Sequence, residues 1–136
     1  MIYETKTAIV LLSELLPWQK ANVAAFLAGG LAGTYPEIVG EPYRDADGRP
    51  YTPLIREPVF VYGASSPELT RTHQRAMSRN LRFAIYTAAL FETNNDAANR
   101  ASVAASPTDR LNLVGVGLHA ERKIIDKIVN GLKFLT

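Results

Sequence analysis

Seven side chains in this sequence are of types that bind or transform ligands. Glu14, Trp18, Lys20 and Asn22 come early in the chain, and Glu92, Asn94 and Asn95 come near its middle. A lysine and a carboxylate together can position a water and steady charge at an ester. Lys20 with Glu92 is therefore the catalytic candidate of a hydrolase reading, and it requires the two side chains within about 4 Å or joined by one water. Lys20 can equally be a solvated lysine at a helix start. Trp18, the single tryptophan, could stack on a ligand or pack over that helix start. Glu14, Asn22, Asn94 and Asn95 offer hydrogen-bonding groups and are the ligand-binding candidates.

Other chemistries are excluded or weak. The chain has no cysteine and two histidines, so thiolate zinc sites, cysteine nucleophiles and a multi-histidine metal site within one subunit are ruled out. His73 falls on the inner face of a helix, and His119 precedes the last helix and is expected to cap it. Ser65 and Ser66 read as helix caps, because neither has a recognisable base nearby. Asp45-Ala46-Asp47-Gly48 is a turn signal, and the later acidic ligands of a calcium loop are missing. Gly29, Gly30 and Gly33 lie inside a helix and form no phosphate-binding fingerprint. No metal and no cofactor are expected.

These residues need elements to hold them. With 136 residues, 47% hydrophobic and 21% charged, the composition fits one globular α/β domain over residues 1–136. The net charge of +2 is a weak signal for nucleic acid. Arg71, Arg75 and Arg79 nevertheless line one helix face, with Arg82 beyond them, as a solvated face or a phosphate track. The opening MIYETK reads as the start of a strand rather than a signal peptide, and no apolar run is long enough to span a membrane. A cytoplasmic location is the expectation.

Thr7–Leu12 (TAIVLL) is β-branched and continuously apolar, which suits a central strand. Pro17 opens a helix reaching Gly33, with Val23, Leu27 and Leu31 as its buried stripe. Its three glycines imply close packing on a neighbour, and the Gly/Ala character invites self-association as a homodimer. Residues 37–54 form an irregular loop or hairpin insertion. Pro58–Tyr62 is a second strand. Ser65 and Glu68 make a capping box for a helix ending near Arg79, with Asn80 in a left-handed cap. Phe83–Thr87 is a third strand. Thr93 caps a short helix that runs through Ala104. Leu111–Leu118 is a fourth strand, whose Gly115 and Gly117 admit a close neighbour. Ile124, Ile125, Ile128, Val129 and Leu132 stripe the last helix. The order predicts a three-layer α/β/α sandwich around a four-stranded mixed sheet. Ligands bind such sheets beyond the carboxyl ends of the strands, where the seven candidates lie.

The pattern resembles the type II (archaeal and eukaryotic) peptidyl-tRNA hydrolase fold. TAIVLL followed by Lys20 and Val23-Ala24-Ala25 carries the first part of the likeness. PVFVYGASSPELTRTHQRAMSRNLRFAIY carries the second, and VGVG with Asp126-Lys127-Ile128 and Leu132-Lys133-Phe134 the third; together they span roughly two thirds of the chain. More narrowly, the sequence is similar to the bacterial domain of unknown function 2000 family. The hydrolase resemblance implies a basic turn after the first strand and an acidic residue after the third. Lys20 matches one turn lysine. Asn22 replaces the second lysine, Gly29 a histidine, and Thr87-Ala88 the expected Gln-Asp. The leading expectation is thus a small-molecule or partner-binding protein without the hydrolase activity. A hydrolase of peptidyl- or aminoacyl-ester substrates and an RNA-associated module are the alternatives.

Overall fold

The computed structural model describes residues 3–136; Met1 and Ile2, the start of the MIYETK reading, lie outside them. Strand β1 (Thr5–Leu12) leads through a turn into helix α1 (Pro17–Thr34). A two-stranded hairpin follows, β2 (Tyr43–Arg44) and β3 (Pro50–Tyr51). Then come β4 (Val59–Ala64), α2 (Ser66–Ser78), β5 (Ala84–Thr87), α3 (Asp96–Ala104), β6 (Leu113–Glu121), α4 (Arg122–Ile128) and β7 (Lys133–Phe134).

The main sheet has five strands in the order β5-β6-β1-β4-β7, not four. β1 and β4 are parallel, as a right-handed crossover requires, while β6 runs antiparallel to both β1 and β5. The fifth strand is β7, antiparallel to β4 through Tyr62↔Phe134 and Gly63↔Lys133. Two residues cannot show an alternating pattern, and here they follow a helix that stops early. α4 ends at Ile128, and Gly131 at φ 94° turns the chain back along the sheet.

α1 covers one face of the sheet. Its Val23, Leu27 and Leu31 pack with Ile9, Leu11, Ile38 and Val114. α2 and α4 cover the other face, where Leu69, Ala76, Ile125 and Ile128 meet Ala8, Val10, Val116 and Leu118. The alternation along β1 divides its side chains between these two cores. The glycines that allow α1 to sit close belong to the strand rather than the helix. A Cβ at Gly115 would lie 2.6 Å from Cγ1 of Val23, and one at Gly117 would lie 3.2 Å from Cβ of Leu27. Gly29 and Gly33 are exposed and face no atom within 4 Å, so the close packing expected from them is absent.

Local signals explain the helix ends. Ser65 Oγ accepts the Glu68 backbone N–H at 3.3 Å, and the Glu68 carboxylate accepts the Ser65 N–H at 2.9 Å. This is the reciprocal capping box. Asn80 adopts φ 55° beyond the end of α2. Asn95, rather than Thr93, caps α3, accepting the Ala98 N–H at 2.7 Å. Thr93 instead donates to the Leu90 carbonyl at 3.0 Å. In the hairpin, the Asp45 carboxylate accepts the backbone N–H groups of Asp47 and Arg49 and the Tyr51 hydroxyl, and Gly48 takes φ 82°. Those bonds, the Tyr51 hydroxyl foremost, hold the Asp45 carboxyl below its ordinary pKa.

Candidate functional site

The carboxyl ends of β1, β4 and β5 share one edge of the sheet, along with the start of the antiparallel β6. Two bonds tie that edge together: Ser13 N–H to the Ala64 carbonyl and Ala88 N–H to the Asn112 carbonyl, each at 2.9 Å. The first turns of α1 rise from this edge and separate two cavities. Successive helical residues are about 100° apart, so Trp18 and Lys20 point to different sides.

The first cavity, about 360 Å³, is lined by Trp18, Asn22 and Phe26 from α1, Tyr86 from β5, and Leu90, Phe91 and Thr93–Asp96 with Asn99 beyond it. Its aromatic wall is continuous. Trp18 meets Phe91 edge to face at 5.8 Å between centroids, Phe91 lies 5.3 Å from Tyr86, and Tyr86 lies 5.7 Å from Phe26. Trp18 and Phe26 remain 59% and 57% exposed, so their outer faces are open to a ligand. Burial pushes the Tyr86 hydroxyl above its ordinary pKa, and the Asn22 carboxamide beside it holds that shift back.

The polar wall is made of carboxamides. Asn95 Oδ1 caps α3, and Asn94 Oδ1 accepts from Asn95 Nδ2 at 3.1 Å. Thr93 also bonds the Asn99 side chain, and Asp96 pairs with Arg100 one turn along α3. The single carboxylate of the lining thus already has a cationic partner.

The second cavity, about 390 Å³, contains Lys20 with Ser13, Gly63, Glu68, Gly131, Lys133 and Phe134–Thr136. Among the sequence candidates, the structure brings Trp18, Asn22, Asn94 and Asn95 together in the first cavity and places Lys20 in the second. Glu92 is exposed in the turn after β5, and Glu14 is exposed in the turn after β1; neither lines either cavity. The structure therefore does not gather Lys20 and Glu92 at one site. Phe26, Tyr86, Phe91 and Asn99 were not expected at the site. Phe26 falls at i+8 from Trp18 and i+4 from Asn22, and Asn99 falls at i+4 from Asn95, so helical spacing carried a signal for both.

His119 does not cap the last helix. It lies inside β6, and the antiparallel direction of that strand puts it at the opposite edge of the sheet. There the Thr7 hydroxyl donates to Glu57 at 2.8 Å and meets His119 Nδ1 at 2.9 Å, and Thr5 donates to the other Glu57 oxygen at 2.8 Å. Glu57, Thr7 and His119 are buried. This polar cluster joins β1, β6 and the segment before β4.

The arginines of α2 are largely engaged. Arg75 donates to the carbonyls of Ile128 and Asn130 at the end of α4, at 3.2 and 3.0 Å. Arg79 donates to the Arg75 carbonyl at 3.0 Å, and Arg71 approaches Glu68 at 3.8 Å. Arg82 is exposed beyond the helix. Among the described residues no group of three or more His, Asp or Glu side chains is placed to hold a metal, and no helix is long and apolar enough to cross a membrane.

Comparison with known proteins places this architecture. The family model described as "Protein of unknown function (DUF2000)" matches residues 5–136. The chain belongs to the DUF2000 family. A solved structure agrees: a protein of unknown function from Agrobacterium tumefaciens strain C58 is 40% identical, with a TM-score of 0.95, covering 99% of this chain and 100% of that one. No curated protein matches the chain. The five-stranded sheet and the edge carrying both cavities are thus described for a DUF2000 member.

Proposed function

We propose that this DUF2000 protein is a small-molecule-binding protein, and that the aromatic and carboxamide cavity between α1 and the turn after β5 is its binding site. The observation that carries the reading is the convergence of Trp18, Phe26, Tyr86 and Phe91 with Asn22, Asn94 and Asn95 on one cavity. Apolar walls with a few oriented polar groups are the usual make-up of a ligand site. General acid–base catalysis needs an ionisable group free to exchange a proton with the substrate. The Asp96 carboxylate here is paired with Arg100, and burial moves the pKa of the Tyr86 hydroxyl further up from 10.0, away from neutral pH.

The resemblance to type II peptidyl-tRNA hydrolases belongs to this proposal as a likeness of fold without the activity. Lys20 opens to the other cavity, and Ala88 stands where that family carries an acid. The internal hydrogen bonds of Arg75 and Arg79, and the approach of Arg71 to Glu68, argue against an RNA track on α2. A cytoplasmic location, and self-association through the uncharged face of α1, complete the reading. The direct test is native mass spectrometry of gently purified protein, followed by a thermal-shift screen of small metabolites. Retention or stabilisation by a small molecule, lost in Trp18→Ala, is expected. Hydrolysis of an aminoacyl ester that disappears in Lys20→Ala would contradict the reading.

A further inference from the structure

We infer that the ligand of the aromatic cavity is an uncharged planar heterocycle carrying carbonyl or ring-nitrogen acceptors, of the nucleobase kind. This rests on the binding reading above and narrows it by an inventory of the groups left for a ligand.

The carboxamide oxygens are partly used within the protein. Asn95 Oδ1 accepts the Ala98 N–H, and Asn94 Oδ1 accepts from Asn95. What Asn94 can still offer from its nitrogen is a pair of N–H donors. Asn22 lines the same cavity as Tyr86, and its carboxamide brings two N–H donors and an acceptor oxygen. Each carboxamide of the wall thus offers both donor and acceptor capacity, and the lining holds no Lys or Arg. Sugar hydroxyls both donate and accept, so the carboxamides alone do not choose between a sugar and a heterocycle; the exposed aromatic faces of Trp18 and Phe26, which stack on a flat ring, do. An anion needs a cation; the lining holds no Lys or Arg, and Arg100, next to Asn99 in the chain, is paired with Asp96. A heterocycle bearing carbonyls meets the carboxamide N–H groups, and its own ring N–H meets a carboxamide oxygen. Asparagine is well suited to such adjacent donor–acceptor edges.

The aromatic groups fit the same ligand. Trp18, Asn22 and Phe26 stand at i, i+4 and i+8 on one ridge of α1, about 12 Å from end to end. Each aromatic at the ends has an exposed face, and the carboxamide sits between them. A planar ring can stack on one aromatic face while its edge reaches Asn22 and Asn94. Base stacking on aromatic side chains is favourable for every base, because every base has a π-face.

Trp18 is the sole tryptophan, so its emission reports on this cavity alone. The protein is titrated separately with uracil and with ribose at millimolar concentrations. The expected result is saturable quenching by uracil and none by ribose, with uracil binding weakened about tenfold in Asn94→Ala and likewise in Phe26→Ala. Both residues lie at the surface, so these variants leave the cores intact. A saturable response to ribose without one to uracil overturns the heterocycle inference and leaves the binding reading standing. Uracil quenching unchanged in both variants also overturns the inference. No response to either probe overturns it too, and an empty native-state ligand screen would then remove the binding reading with it.

Discussion

Thr7 shows how one buried hydroxyl can join two ionisable side chains. Its O–H donates to Glu57 and its oxygen faces His119 Nδ1, all within the sheet. Thr7→Val keeps the shape and removes the hydroxyl, leaving buried polar atoms short of a partner. The expected loss is about 1–3 kcal/mol in urea unfolding; an unchanged midpoint would show that the cluster contributes no stability. His73 gives a pH dependence of definite sign. Burial against α2's core face, edge to face with Phe83 at 5.5 Å, lowers its pKa from 6.5. The unfolded chain then binds more protons than the native one below that value. Stability is full above pH 6.5 and falls as pH drops toward the depressed native pKa. The unfolding midpoint of the wild type should fall relative to that of His73→Leu on going from neutral to mildly acid pH; a constant difference would contradict this. At the same scale, Lys6 is buried, which pulls its pKa down, but the Asp126 carboxylate at 2.8 Å and the Tyr62 hydroxyl outweigh that and raise it overall.

The elements show what sequence patterns can and cannot convey. The β-branched run at Thr7–Leu12, the stripe of Val23, Leu27 and Leu31, and the Ser65/Glu68 box were legible because each is a local pattern with a local cause. The short strand β7 was not, since its existence depends on where Gly131 aims the chain and on an open edge at β4. The α3 cap was misplaced by two residues because Thr93 and Asn95 have equivalent capping chemistry, and only the path of the turn after Tyr86 decides between them. Close packing was expected at the glycines of both α1 and β6; Gly115 and Gly117 of β6 provide it, while Gly29 and Gly33 of α1 do not. Two substitutions separate these roles. Gly115→Ala should cost about 1–3 kcal/mol through the clash with Val23 and Leu27. Gly29→Ala, exposed on the helix with open space around it, should stabilise by up to about 1 kcal/mol. Chemical denaturation of the two variants checks the contrast, and equal effects would contradict it.

For the whole molecule, the edge that carries the cavities was legible, and the lining of the candidate site only in part. The rule that ligands meet the carboxyl ends of strands pointed to the edge that carries both cavities. Trp18, Asn22, Asn94 and Asn95 do gather there. Lys20 was grouped with them by nearness in sequence, but helical rotation carries it to the other side of α1. Glu92 and Glu14 sit in exposed turns for which no local pattern specifies a direction. Tyr86 and Phe91 entered the cavity through the return of β5 beside β6, which is long-range information. The account thus assigns the two sides of one helix different roles: a binding wall at Trp18, Asn22 and Phe26, and a separate lysine-bearing cavity with no function assigned. Chemical-shift mapping by NMR, with a ligand found in the native-state screen, tests this most directly. The account predicts perturbations centred on the amides of Asn22, Tyr86 and Asn94. Perturbations centred instead on Ser13, Lys20 and Lys133 would contradict it.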